Sequence, residues 1–172
     1  SLTHQYSSLK NEQYLKTQNV VETAYSVIEH YHQLEQNNIL TQAQAQTQAL
    51  AAIKALRYDK TNYFWVNNYQ PQMVMHPIKP GLNGKDLSNN KDPDGKALFV
   101  EMVNIVKQQK EGFIPYKWPK PGKDQPVDKV AFVKGFSPWQ WIIGSGVYLD
   151  SIDEAFSEQR NLIIISALVM II

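Results

Sequence analysis

The sequence predicts an α+β fold: a long N-terminal helix, paired with a second helix, packed on one face of a five-stranded antiparallel sheet. Three observations predict it. Apolar residues recur at steps of three and four along the early part of the chain. Near Tyr63 the period drops to two, in short runs rich in aromatic and β-branched residues. Those runs are joined by short turn-forming linkers, which favours antiparallel neighbours over long crossovers.

The first helix is read over Leu2 to Leu34. Val20/Val21, Ala24/Tyr25, Val27/Ile28, Tyr31 and Leu34 form its apolar stripe, while Gln13 and Thr17 interrupt the earlier, more polar half. A helix of ~35 residues runs ~50 Å, longer than a small domain covers, so the first half is expected to act as a stalk. Asn37-Asn38 ends it. Thr41 with Gln44 three residues later matches a capping box and starts a second helix, with Ala49, Leu50, Ile53 and Leu56 inward. Tyr58 to Asn62 breaks that helix. Strand-like runs follow at Tyr63 to Val66 and Met73 to His76, then a loop rich in Gly, Pro, Asn and Asp over Pro77 to Gly95. A short helix is expected over Lys96 to Lys110, with Leu98, Met102, Ile105 and Val106 inward. Three more strands are expected at Gly112 to Trp118, Lys129 to Phe136 and Trp141 to Leu149, after which Asp150 is expected to cap an exit helix.

Composition narrows the function. The 172 residues suit one domain with a helical extension, and a net charge of +1 gives no footprint for nucleic acid. The chain has no cysteine, which excludes disulfides, Cys-ligated zinc and thiol catalysis. It opens on Ser1 rather than Met, and so reads as a segment of a longer protein. Leu162 to Ile172 is uncharged, with Ser166 its one polar residue. A spanning helix needs ~20 apolar residues. The run is read as the start of a truncated membrane span, because it is apolar on every face. A buried terminal helix is the alternative.

Polar and aromatic residues that suit a binding site gather in the sheet half. They are Arg57 at the end of the second helix, Tyr63 and Trp65 on one strand face, His76 at a strand end, Tyr116 and Trp118 on one face, and Lys134 inside an apolar strand. Gly144 and Gly146 lie within the last strand, where glycine marks a close approach. Together these residues suit a small carboxylate. Arg binds one bidentately, and His, Lys and Tyr add donors. Each has a plainer reading: Arg57 paired with Asp59, Lys134 snorkelling from an edge strand, Tyr116 and Trp118 as core, and His76 as a strand-end residue.

Sharper motifs fail. Asn90 to Glu101 has the spacing of a calcium loop, but it begins with Asn, carries Pro93 and follows no entering helix. Gly144-Ser145-Gly146 is neither a nucleophile elbow nor a dinucleotide fingerprint. His30 and His32 point to different helix faces. No paired carboxylates or activated nucleophile emerge, so neither an enzyme nor a cofactor is expected.

Several segments, in order and spacing, resemble the single-Cache sensor domain. They are Leu56 to Asp59, Asn62 to Asn67, Met75-His76-Pro77, Leu82 to Leu87, Gly112-Phe113, Tyr116 to Pro121, Lys129 to Val133 and Trp141 to Tyr148. The resemblance covers about Leu50 to Asp150. It implies a PAS-like fold whose pocket lies on the sheet face opposite the long helix, in an extracytoplasmic sensor such as that of a methyl-accepting chemotaxis protein. It further implies a small mono-carboxylate ligand of the acetate, propionate, pyruvate or lactate class. The pocket set would then be Arg57, Tyr63, Trp65, His76, Tyr116, Trp118 and Lys134. On this reading, residues 1–40 are the stalk and packing helix, 41–150 the sensor domain, and 151–172 the exit helix and start of a span in the inner membrane. A homodimer through the first helix is expected. A histidine kinase or cyclase sensor, or a periplasmic interaction module without a ligand, are the alternatives.

Overall fold

The structure is a computed structural model that describes residues 1–171. Helix α1 spans Leu2–Gln36, and Ser1 caps it by accepting a hydrogen bond from the His4 amide. Its buried positions Thr17, Val21, Ala24 and Ile28 follow steps of four, three and four, which place them on one stripe. Asn38, at φ 57°, turns the chain beyond its end. Helix α2 spans Gln42–Ala55, and the expected capping box is present: the Thr41 hydroxyl accepts from the Gln44 amide while the Gln44 side chain accepts from the Thr41 amide. Ala45, Ala49 and Ile53 are the buried stripe, so Leu50 and Leu56 lie at its margin.

Five strands follow: β1 Trp65–Asn68, β2 Met73–Met75, β3 Glu111–Pro119, β4 Pro126–Phe136 and β5 Trp141–Tyr148. They form one antiparallel sheet in the order β2-β1-β5-β4-β3. Strand β5 lies at its centre and is buried along its whole length, as an apolar strand covered on both faces must be. Helices α1 and α2 cover one face, where Val21, Ile28, Ala49 and Ile53 meet Phe64, Val66, Phe132 and Ile143. Helix α3, Leu98–Gln109, covers the other with Leu98, Phe99, Met102 and Val106.

Asp92 explains how the Gly/Pro-rich loop is held. Its carboxylate accepts from the amides of Asp94, Lys96 and Lys117, which pins the loop to β3. Helix α4, Leu149–Val169, corrects one expectation: Asp150 lies in its first turn and makes no side-chain cap, and the chain simply turns at Tyr148. Near its start α4 touches α1, where the Tyr6 hydroxyl donates to Asp153 at 2.7 Å and the Tyr6 ring meets Phe156 edge-on at 5.4 Å. Leu162 to Ile165 are exposed, and no described helix is long and apolar enough to cross a membrane.

Candidate ligand-binding site

Sheet register builds the site. Tyr116 on β3 pairs with Lys129 on β4, and Lys129 pairs with Tyr148 on β5. Directly opposed residues point to the same face, so the lysine is set between two tyrosines. Two glycines of β5 clear the space beside this row. A Cβ on Gly146 would lie 2.5 Å from Lys129 Cε, and one on Gly144 would lie 2.4 Å from the Trp65 indole. The indole is then fixed by its Nε1–H, which donates to Asn67 Oδ1 at 2.9 Å.

Lys129 is 2% exposed. Its Nζ donates to the Tyr63 hydroxyl at 3.2 Å and lies 4.7 Å from the Tyr63 ring centre, 5.0 Å from Tyr148, 5.2 Å from Trp65 and 5.8 Å from Tyr116. Aromatic faces attract an ammonium. None of the ion pairs among the described residues includes it. Burial alone pulls its pKa from 10.5 down to about 7. Burial pushes the Tyr63 hydroxyl up to about 12, and those of Tyr116 and Tyr148 upward as well, so the phenols stay neutral.

His76 completes the cluster. Its ring centre is 5.0 Å from that of Tyr63 and 5.8 Å from that of Trp118. Nδ1 accepts from the amides of Ile78 and Lys79, at 3.2 and 2.9 Å, so the neutral ring carries its proton on Nε2. Burial, then the charges of Lys129 and Lys79, hold its pKa at about 3. A cleft of about 140 Å³ reaches Tyr116 and Lys129, and another of about 260 Å³ reaches Trp118 and Lys79. The chemistry on offer is one desolvated ammonium and neutral N–H and O–H donors, walled by aromatic rings. That suits a small anion with a short apolar tail.

Of the residues singled out in the sequence, Tyr63, Trp65, His76, Tyr116 and Trp118 lie together on this face. Two residues expected with them do not. Arg57 is exposed, and its guanidinium donates to the carbonyls of Lys54 and Leu56, where it closes the end of α2. Lys134 is on the helix face. It pairs across strands with Glu111, at 3.9 Å between charges, and lies 4.5 Å from the Tyr25 ring of α1. Lys129 and Lys134 are five residues apart on one strand, so they must face opposite ways. Sequence reasoning missed Lys129 and Tyr148. Strand parity was visible, but only the register to Tyr116 says which lysine meets the aromatic rows.

A five-stranded antiparallel sheet with a long helix on one face and a buried polar cluster on the other is the PAS-like architecture of Cache sensor domains. A family model described as a Cache domain matches residues 1–164, and the chain belongs to that family. It is 51% identical over 104 residues, 60% of its length, to the methyl-accepting chemotaxis protein McpP of Pseudomonas putida. It is 36% identical over 97 residues, 56% of its length, to the sensor histidine kinase MctS of Rhizobium johnstonii. The matches span 19% and 21% of those two proteins, about a fifth of each. Among solved structures, it is similar to a Cache chemosensory domain described for carboxylic acid recognition. There the identity is 48%, the TM-score 0.80, and the match covers 83% of this chain and 97% of that one. The periplasmic sensor domain of a chemotaxis protein gives 45% identity and a TM-score of 0.79, over 81% and 96% of the two chains.

Proposed function

We propose that this chain is the periplasmic sensor domain of a chemotaxis receptor and captures a small mono-carboxylate at Lys129. The observation that carries the proposal is a fully buried ammonium with no acidic partner among the described residues. A desolvated charge is costly unless paired. A carboxylate would pair with it, and the Tyr63 hydroxyl and His76 Nε2–H would supply further donors. Trp65, Tyr116 and Trp118 would wall the apolar tail and limit its length. The carboxylic acid recognition described for the 48%-identical Cache domain supports this ligand class.

Capture is non-covalent, with no bond made or broken in the ligand. It would signal by favouring one position of α1 against α4, two helices that touch at Tyr6, Asp153 and Phe156 and that in this reading lead to the inner membrane, in a homodimer. A second reading changes only the output: the 36% identity to a sensor histidine kinase would make a kinase the domain served, against the 51% identity to a chemotaxis protein. Isothermal titration against acetate, propionate, pyruvate and lactate tests the ligand claim. At least one should bind saturably. No heat from any of the four would favour a module whose aromatic cluster is only core.

A further inference from the structure

Two hydroxyls meet on the face of the sheet behind the candidate site and take no part in the pocket itself. Ser145 is fully buried on β5, between the two glycines that make room for Trp65 and Lys129, and it points to the opposite face. Its Oγ–H donates to the backbone carbonyl of Tyr63 at 2.6 Å. That uses its one hydrogen, so the Tyr58 hydroxyl, 2.6 Å away, must donate to Ser145 Oγ. Tyr63 precedes β1 and its carbonyl is held by a side chain. The same residue meets Lys129 through its hydroxyl on the pocket face.

The chain of contacts continues to α1. Tyr58 and Asn62 exchange backbone hydrogen bonds of 3.1 and 3.0 Å and close a turn in which Asp59 and Lys60 both have positive φ. The Tyr58 ring rests on Phe64, with centres 5.4 Å apart. The Asp59 carboxylate pairs with Lys16 of α1. Lys16 precedes Thr17, a residue of the buried stripe of α1.

We infer that Tyr58 and Ser145 are positioning residues that hold Tyr63 and join the Lys129 site, through the Tyr58–Asn62 turn and the Asp59–Lys16 pair, to helix α1. The inference rests on the carboxylate reading above. A carboxylate that draws the Lys129 ammonium from Tyr63 shifts that residue, and the shift reaches α1 through hydroxyls and an ion pair instead of through apolar packing. Coupling of this kind is reciprocal, so weakening the link also moves ligand affinity.

The test is amide hydrogen exchange in α1, residues 13–28, on the whole chain. It is measured with and without the tightest binder among acetate, propionate, pyruvate and lactate. Wild type, Tyr58→Phe, Ser145→Ala and Asp59→Asn are compared, with thermal unfolding of each. Ligand should slow exchange around Lys16 in wild type, and the slowing should shrink at least about threefold in the variants that still bind. A merely structural role would lower the melting temperature and leave the ligand-dependent difference intact. Wild-type slowing in Tyr58→Phe and Asp59→Asn overturns the inference while the pocket stands. Should Tyr58→Phe not fold, Asp59→Asn, at an exposed pair, decides. Absence of binding by wild type overturns the carboxylate reading itself, a distinct result.

Discussion

The two faces of the sheet are made by the same strands and bury opposite chemistry. On the helix face, Val21, Ala24, Ile28 and Ile53 meet Phe64, Val66, Phe132 and Ile143, all nearly fully buried, and the cations and acids there stay at the margin, as Lys134 does with Glu111. On the other face, the same alternation turns Lys129, His76 and Asn67 inward with Tyr63, Tyr116 and Tyr148. Both faces hold the fold, the second through Leu98, Phe99, Met102, Ile114 and Ile142. Only the second also buries a cation with no acidic partner among the described residues, the feature on which the proposed ligand site rests. Substitutions on the two faces should therefore fail in opposite ways.

The largest separation is expected at Lys129. Lys129→Met should lose about 2–5 kcal/mol of carboxylate affinity, as when one partner of a buried charge pair is removed. It should raise the melting temperature of the free protein, since a desolvated amine is replaced by an apolar chain of similar length. Calorimetry and thermal unfolding read the two effects. Ile28→Ala on the helix face should do the reverse. It should cost about 2–5 kcal/mol of stability, seen in urea unfolding. Carboxylate affinity measured well below its melting temperature should stay near wild type.

The pH response should separate the faces further. Lys129 ionises near pH 7 in the folded chain and near 10.5 when unfolded. Between those values the unfolded chain holds more protons, so the stability of the free protein should rise with pH from about 7. Below pH 7 both states are protonated and this contribution is flat. Carboxylate affinity should run the other way, constant below pH 7 and falling by up to about tenfold per unit above it, because capture needs the ammonium. His76 is neutral throughout this range and adds nothing to the slope. Titrations at pH 6, 7 and 8 check both signs. The smallest effect on binding is expected at Lys134→Ala and Arg57→Ala, where affinity should stay within about twofold while stability falls by about 0.5–1.5 kcal/mol, the usual worth of the hydrogen bonds and ion pair removed. A large loss of binding in either would bring the helix-face lysine or the α2 cap back into the site.

Elements with a clear period were legible in the sequence. The stripe of α1, the Thr41 capping box and the five strands all depend on local spacing. Gly144 and Gly146 were legible as places of close approach, though side chains, Trp65 and Lys129, do the approaching. The cation of the site was not legible. Lys129 and Lys134 bracket the same apolar run, and which of them faces the aromatic rows depends on pairing with Tyr116 and Tyr148, far away in sequence. Arg57 misled for a similar reason, since an arginine after a helix serves the helix's own last carbonyls as readily as a ligand. Asp150 looked like a cap by residue type, but α4 starts directly from β5 without one.

The most direct test follows the Lys129 side chain itself by NMR, as a pH titration of its ε-carbon and ζ-nitrogen shifts with and without saturating propionate. Lys129 should titrate near pH 7 in the free protein and move clearly upward once propionate is bound. Titration near 10.5 in the free protein, or a titration that propionate leaves unchanged, would rule out a desolvated Lys129 that pairs with the ligand.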